Sequence, residues 1–214
     1  MTTTAPAALA ATERLWTAVE TYDGEVADTT LADLLWERPL DDAVMTVVLP
    51  FLGELGDRWE QGRLSVAHEH FISNMLRRWL LAFAGRPASQ DKVLDGPVVL
   101  LACPPGERHD LVLLCFSLLL GEAGARARYL GADTPMPAIV AAARASRADA
   151  VVLAATRDTA FTAESAAIAR LSTEHPVFVA GRGATQSVAE SLSAHHLPHD
   201  PVAAVGFLQT VLQK

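Results

Sequence analysis

The stretch Pro97-Val-Val-Leu-Leu-Ala-Cys-Pro-Pro-Gly-Glu-Arg-His-Asp-Leu-Val-Leu-Leu-Cys-Phe116 decides the fold. It opens with a short, continuous apolar run, the pattern of a strand buried on both faces. A Pro-Gly loop follows, then an apolar run from 110 to 123 that is long enough for a helix. The same alternation continues to Lys214. Strands are expected at 97–103, 126–130, 150–155 and 177–180, with a weak fifth near 195–198. Helices are expected at 110–123, 136–143, 162–171, 185–193 and 201–212. Apolar strands separated by helices imply a parallel sheet covered on both faces. The expected architecture is a flavodoxin-like (Rossmann-like) doubly wound parallel five-stranded sheet over 97–214. Such sheets take ligands at the carboxyl ends of their strands, so the loop after the first strand is where a site is sought.

Upstream the periodicity changes. Segments 13–22, 29–37, 41–57 and 64–84 carry apolar residues at three- and four-residue spacing, the mark of amphipathic helices. In the third, Val44, Val47, Val48, Phe51, Leu52 and Leu55 make one face. In the fourth, Val66, Phe71, Met75, Trp79 and Phe83 make another. Pro50 is expected to kink the third helix, and Gly24, Pro39 and Gly62 mark the breaks. The organisation expected is a disordered tail at 1–11, a four-helix bundle cap domain at 12–85 and a linker at 86–96. The α/β domain follows.

Half of the 214 residues are hydrophobic, which describes an ordered globular chain. Lys plus Arg is 17 against Asp plus Glu 25, a net charge of -8. That excludes direct nucleic-acid binding as the main activity, since neutralising phosphates needs a basic surface. Cys103 and Cys115 are too few for a disulfide scaffold and fit a reducing compartment. With no apolar run of membrane-spanning length and no secretory signal pattern, a cytoplasmic location without membrane contact is expected. Neither a Walker motif, a Gly-x-Ser-x-Gly nor an HExxH is present, and no enzymatic activity is expected.

The loop 103–112 places His109 at the top of the sheet beside a helix start. Glu107, two residues earlier, can take the ring's second N–H, which fixes the tautomer and strengthens an imidazole as a metal ligand. The same two residues also fit an exposed loop histidine and an acid favoured at a helix N-terminus. His195, His196 and His199 read as surface-loop histidines. Cys115, inside an apolar helix, reads as packed and inert.

The stretch from Leu118 to Pro135 resembles the second-strand region of cobalamin-binding domains. That family carries an acid-x-His-x-x-Gly motif, which appears here as Glu107-Arg108-His109-Asp110-Leu111-Val112, with Val112 where the Gly stands. Its later Ser-x-Leu or Ser-x-Thr appears as Ala154-Ala155-Thr156, and its Gly-Gly pair as Gly181-Arg182-Gly183. The resemblance implies that His109 is the lower axial cobalt ligand. It also implies that Glu107, Arg108, Asp110, Val112, Ala154, Thr156, Gly181 and Gly183 line the cofactor. In the helical half, Trp59 is followed after nine residues by Glu69-His70. This Trp-x9-Glu-His resembles the signature of cobalamin photoreceptors of the CarH and LitR type. There a four-helix bundle caps the upper face of adenosylcobalamin. By that resemblance Trp59 packs on the adenosyl group, and Glu69 and His70 contact it. Glu69 lies one turn from Ser73, and His70 one turn from Asn74 and Val66, giving the helix a polar strip. Some relatives have a cobalt-ligating His directly after the capping Trp. Here that residue is Glu60, which leaves His70, His68 or water for the illuminated state.

The resemblance implies a light sensor in which photolysis of the cobalt–carbon bond drives a conformational or assembly signal. The output would pass through a homo-oligomer, a dimer, or through a protein partner. The sequence shows no counterpart of the MerR-type winged helix that CarH-type repressors carry, so no direct DNA contact is expected. A short acidic chain of this kind is similar to the photocobilin subset, which also binds a second, linear tetrapyrrole such as biliverdin. Two other readings share His109. One is a corrinoid carrier of a methyltransferase system, and the other a cobalamin-binding antirepressor acting on a transcription factor.

Overall fold

The computed structural model describes residues 4–85 and 95–213. The chain divides into two compact units, Met1–Arg86 and Pro87–Lys214. Residues 86–94 of the expected linker and residues 1–3 of the expected tail lie outside the described residues.

In the helical unit the first helix, α1 (Thr4–Thr21), begins well before residue 13. Most of the expected disordered tail is therefore helical. Ala5, Ala7, Ala8, Ala10 and Ala11 are the strongest helix formers, and Pro6 sits in the first turn, where its missing N–H is not needed. The second helix, α2 (Gly24–Trp36), starts at Gly24 and not at 29. Asp23 caps it, its carboxylate accepting from the N–H groups of Glu25 and Val26 at 3.0 Å each. Gly24 is thus the first helical residue and the break falls at Tyr22-Asp23.

The third helix runs as α3 (Leu40–Ala43), a π-helical turn (Val44–Val48) and α4 (Leu49–Glu60). The N–H of Leu49 bonds to the carbonyl of Val44, five residues back. Pro50 explains the widened turn. A proline ring clashes with the carbonyl four residues before it and has no N–H to offer. A π turn removes the clash while keeping the helix continuous, so the expected kink takes this form.

In the fourth helix, α5 (Val66–Ala84), the buried row is Ile72, Leu76, Leu80 and Phe83. Of the expected row, Phe83 is buried as expected, and the rest lies one position away from the residues that face the core. Val66 is exposed, and Phe71, Met75 and Trp79 are half-buried along the flank. Two adjacent apolar rows run down this helix, and spacing alone does not tell which of them faces the core. The Trp79 Nε1–H donates to the carboxylate of Asp28 on α2 at 2.7 Å.

The α/β unit holds β1 (Val98–Ala102), β2 (Arg126–Gly131), β3 (Ala150–Ala154), β4 (Val177–Ala180) and β5 (His195–His196). All pairings are parallel, in the order β2-β1-β3-β4-β5. The helices are α6 (Leu111–Glu122), α7 (Met136–Ser146), α8 (Asp158–Thr162), α9 (Ser165–Leu171), α10 (Gln186–Ser191) and α11 (Pro201–Leu212). The single helix expected at 162–171 is split into α8 and α9. On one face, Val98, Leu100, Val151, Leu153, Val177 and Val179 pack with Ile139, Phe161 and Ile168. On the other, α6 packs against β1, β2 and α11, and it is apolar on every side.

Strand order reverses between β1 and β3, so the loops leaving those two strands face each other across the switch point. One irregularity shapes this end. β1 and β2 pair in step from Val98↔Arg126 to Leu101↔Tyr129, but Ala102 pairs with Gly131 and Leu130 is left out as a bulge. Gly131 takes φ +85°, a conformation suited to glycine. Among the described residues no helix is long and apolar enough to cross a membrane.

Candidate functional site

The loop from Cys103 to Asp110 leaves β1 at the switch point and is tied down along its length. The bulge carries the Gly131 carbonyl to the Cys103 N–H at 2.8 Å, and the Cys103 carbonyl accepts from Thr134 N–H at 3.0 Å. The Asp133 N–H donates to the Glu107 carbonyl at 2.8 Å, and its carboxylate accepts from Gly106 N–H at 2.7 Å. Gly106 itself turns with φ +81°. The loop after β2 therefore holds the loop after β1.

The loop's centre is Glu107, only 4% exposed. Its Oε1 accepts from the His109 backbone N–H at 2.8 Å and sits 2.6 Å from His109 Nδ1. Its Oε2 accepts from the Thr156 N–H at 2.6 Å and the Thr156 hydroxyl at 2.7 Å. Thr156 lies just beyond β3, so one carboxylate bridges both sides of the switch point. Burial pushes the Glu107 pKa up. The His109 side chain, the Thr156 N–H, the His109 N–H and the Thr156 hydroxyl outweigh it and hold the carboxyl down at about 2. The group is ionised at any ordinary pH. A carboxylate on Nδ1 makes that nitrogen the protonated one and Nε2 the one with a lone pair. The His109 side chain is 67% exposed. An oriented imidazole backed by a buried carboxylate is the donor set of a metal-ligating histidine.

Replacing Glu107 with Gln tests this bridge. Four N–H or O–H groups converge on two oxygens, and the amide would turn a donor toward one pair of them. The chain should lose about 1–3 kcal/mol, read as a lower denaturant midpoint at unchanged slope. An unchanged midpoint would show that the bridge contributes nothing.

Other residues singled out in the sequence fall in different surroundings. Asp110 turns inward. Its carboxylate is buried and accepts from the Tyr129 hydroxyl at 2.6 Å. Arg108 is exposed, and so is Val112 in the first turn of α6. Ala154 ends β3, half-buried. A Cβ on Gly181 would lie 2.4 Å from the Ala155 carbonyl oxygen, and one on Gly183 would lie 2.3 Å from the carbonyl carbon of Arg157. These glycines let the turn after β4 lie directly on the chain leaving β3. Thr156, Arg157, Asp158, Thr159, Arg182 and Thr185 border a cleft of about 370 Å³ at this junction. Neither the cleft nor the Asp110–Tyr129 bond was foreseen. Tyr129 sits in an ordinary strand pattern, and its partner is distant in sequence. His195 and His196, read as surface-loop residues, instead form β5 and pair with β4; His195 stacks on Phe178 and His196 Nε2 is 3.0 Å from the Ala184 carbonyl. His196 and His199 meet edge to face. Cys115 is fully buried, and burial raises its thiol to about 12, in keeping with an inert packed side chain.

In the helical unit, Trp59 is 42% exposed near the end of α4. It continues the row of Phe51 and Leu55, whose side chains are buried, past the end of the core. The residue before it is pinned. The Arg58 guanidinium lies 3.6 Å from the centre of the Trp16 ring and donates to Glu54 at 2.6 Å. At the start of α5, Glu69 accepts from the Ser73 hydroxyl at 2.6 Å and meets His70 Nδ1 at 2.5 Å. The expected polar strip is present, although His70 pairs with its neighbour and not across a turn. His68 takes part in the helix cap with Ser65 and stacks on Tyr22.

Two family profiles match the chain, each described as a B12 binding domain, one over residues 11–82 and the other over residues 97–206. The chain is similar to the HTH-type transcriptional repressor CarA of Myxococcus xanthus, 33% identical over 181 residues. It is also similar to the HTH-type transcriptional repressor CarH of the same organism, 32% identical over 189 residues. These matches cover 81% and 86% of the chain but 59% and 62% of the relatives. Among solved structures, a monomethylamine corrinoid protein of Methanosarcina barkeri shares the fold. Its TM-score is 0.77 at 16% identity, covering 95% of this chain and 99% of that one. A cobalamin-binding protein of Desulfitobacterium hafniense DCB-2 gives a TM-score of 0.51 at 17% identity over 94% and 97%.

Proposed function

This chain belongs to the family of B12-binding domains, and from that premise we propose that it is a light sensor holding adenosylcobalamin. His109 is the lower cobalt ligand, and Glu107 and Thr156 are its positioning residues. The donor set fits the cofactor: a protonated Nδ1 backed by a buried carboxylate leaves Nε2 as the coordinating nitrogen. Trp59, Glu69 and His70 serve the upper face. When bound, adenosylcobalamin supplies a cobalt–carbon bond that visible light breaks.

The observation that carries the reading is Trp59. A core row that runs on past its core leaves a large flat ring available for a ligand. Beside it in function, Glu69 presents a carboxylate suited to ribose hydroxyls, and Ser73 and His70 orient it. A methyl carrier would need an open upper face for a second protein, which a wide aromatic side chain obstructs. In this reading the chain catalyses no turnover. Trp59, Glu69 and His70 would hold the adenosyl group, and their release from it would be the change that the helical unit reads out in its packing. The signal leaves through a second copy of the chain or a protein partner. The reading extends to a linear tetrapyrrole of the biliverdin type as a second chromophore.

The test is reconstitution with adenosylcobalamin in the dark, with absorption spectra before and after green light. Bound cobalamin that changes spectrum on illumination is the expected result. Bound but light-silent cobalamin would overturn the sensor in favour of a carrier. A further red band on adding biliverdin is expected of the two-chromophore form. The Trp59→Ala variant should still bind within about tenfold, while its bound cofactor becomes less stable in the dark or photolyses differently. Unchanged dark stability and photolysis would refute the capping role.

A further inference from the structure

Trp59 stands on a turn of helix that has no core beneath it. The last buried side chain of α4 is Leu55, and the residues from Gly56 to Glu60 that follow are half-buried or exposed. A terminal turn of that kind frays unless something else fastens it. Two devices do so here. The first is a glycine stop. The Arg63 N–H donates to the Arg58 carbonyl and the Gly62 N–H to the Trp59 carbonyl, each at 2.9 Å, with Gly62 at φ +67°. The stop fixes the backbone of residues 58 and 59, but it does not tie the turn to a neighbouring helix.

The second device is Arg58. Its Nε and Nη2 both donate to Glu54 Oε1, at 3.0 and 2.6 Å. The other oxygen of that carboxylate accepts from the Trp16 Nε1–H at 3.2 Å. The guanidinium in turn lies over the Trp16 ring, which packs on Phe51 with 4.7 Å between ring centres. Glu20 Oε1 lies 3.9 Å from Arg58 Nη1. Arg58, Glu54 and Trp16 thus form a closed circuit, with Glu54 and Arg58 on α4 and Trp16 on α1. An exposed ion pair alone adds little to stability. The Arg58 side chain is only 25% exposed, and a carboxylate and an aromatic face hold its charge together. The circuit therefore fastens the last turn of α4 to α1. We propose that Arg58 is a positioning residue for Trp59: clamped between Glu54 and the Trp16 ring, it holds the indole in one orientation before the adenosyl group arrives, so that packing on that group costs little ordering. The proposal rests on the capping reading above.

The test has an unloaded and a loaded arm. With 5-fluorotryptophan in place of Trp16, Trp36, Trp59 and Trp79, the unloaded chain gives one fluorine NMR line for each, assigned by replacing that tryptophan with Phe. Arg58→Gln and Glu54→Ala should each shift or broaden the Trp59 line along with that of Trp16, and leave those of Trp36 and Trp79 in place. Glu54→Ala is the stricter probe, because Glu54 does not adjoin Trp59 in the chain. A Trp59 line that stays put in Glu54→Ala overturns the positioning role and leaves the capping reading standing. In the loaded arm, Arg58→Gln should speed dark loss of the adenosyl group by about threefold, the rate equivalent of one partly covered cation–π contact. The effect should vanish in a Trp59→Ala background, since a residue that acts through Trp59 has nothing left to position there. An unchanged rate overturns the proposal. So does an effect that persists at full size without Trp59, which would mark Arg58 as a general support of the fold. A Trp59→Ala chain that keeps the dark stability of the unaltered one overturns the capping reading, and the positioning role with it.

Discussion

Gly181→Ala is expected to destabilise the α/β unit by about 2–5 kcal/mol, a large share of a typical domain's stability. Two effects add. Gly181 has φ +91°, where an L side chain is strained, and its Cβ would lie 2.4 Å from the Ala155 carbonyl oxygen. The obstacle is backbone that pairs within the sheet, so it cannot swing aside like a flexible side chain. Ala155 N–H is itself bonded to the Ala180 carbonyl at 3.1 Å. Gly183→Ala isolates the steric part, since its Cβ would sit 2.3 Å from the Arg157 carbonyl carbon. Circular dichroism during denaturation measures the loss. Trp16, Trp36, Trp59 and Trp79 all belong to the helical unit. Tryptophan fluorescence then follows that unit alone, and its transition should move less than the dichroism transition. A dichroism midpoint equal to that of the unaltered chain would refute the packing argument.

His109→Ala should abolish nitrogen ligation from below while leaving the fold intact. The ring is mostly exposed, so its removal opens no core cavity. Glu107 keeps the donors from Thr156 and from the residue-109 backbone. Melting of the unloaded variant should stay within about 1 kcal/mol of the unaltered chain. The spectrum of the loaded variant should become that of a corrinoid without a histidine beneath it. A spectrum identical to that of the unaltered complex would show that another group ligates cobalt. A collapsed melting curve would show instead that His109 is structural.

The α/β half was legible from the sequence because its strands are buried on both faces. Val98–Ala102 and Val177–Ala180 are continuous apolar runs with no second reading. The pairing of Glu107 with His109 was legible too, because the two residues are neighbours on one turn. Three things were not. The start of α1 was missed because an alanine-rich segment carries helix propensity without amphipathic contrast. The buried row of α5 was displaced because Phe71, Met75 and Trp79 run beside Ile72, Leu76 and Leu80, and only packing chooses between parallel stripes. The reach of Thr156 to Glu107 joins residues 49 positions apart across the switch point. No local spacing encodes that contact. The glycines were read through their resemblance as lining the cofactor, whereas what the structure shows at Gly181 and Gly183 is a close approach to the chain's own backbone.

The widened turn at Val44–Val48 sets the heading of a side chain it never touches. Each residue of an α-helix advances about 100° around the axis. An extra residue absorbed in one turn therefore re-phases everything downstream by that angle. Phe51, Leu55 and Trp59 follow in rows of four after the insertion, so the compass bearing of the indole is inherited from the turn ahead of Pro50. The direction of Trp59 within its own unit is thus written into a proline nine positions upstream. Regular winding would bring the Pro50 ring back against the Thr46 carbonyl, so the residue that fixes the bearing also keeps the helix from relaxing out of it.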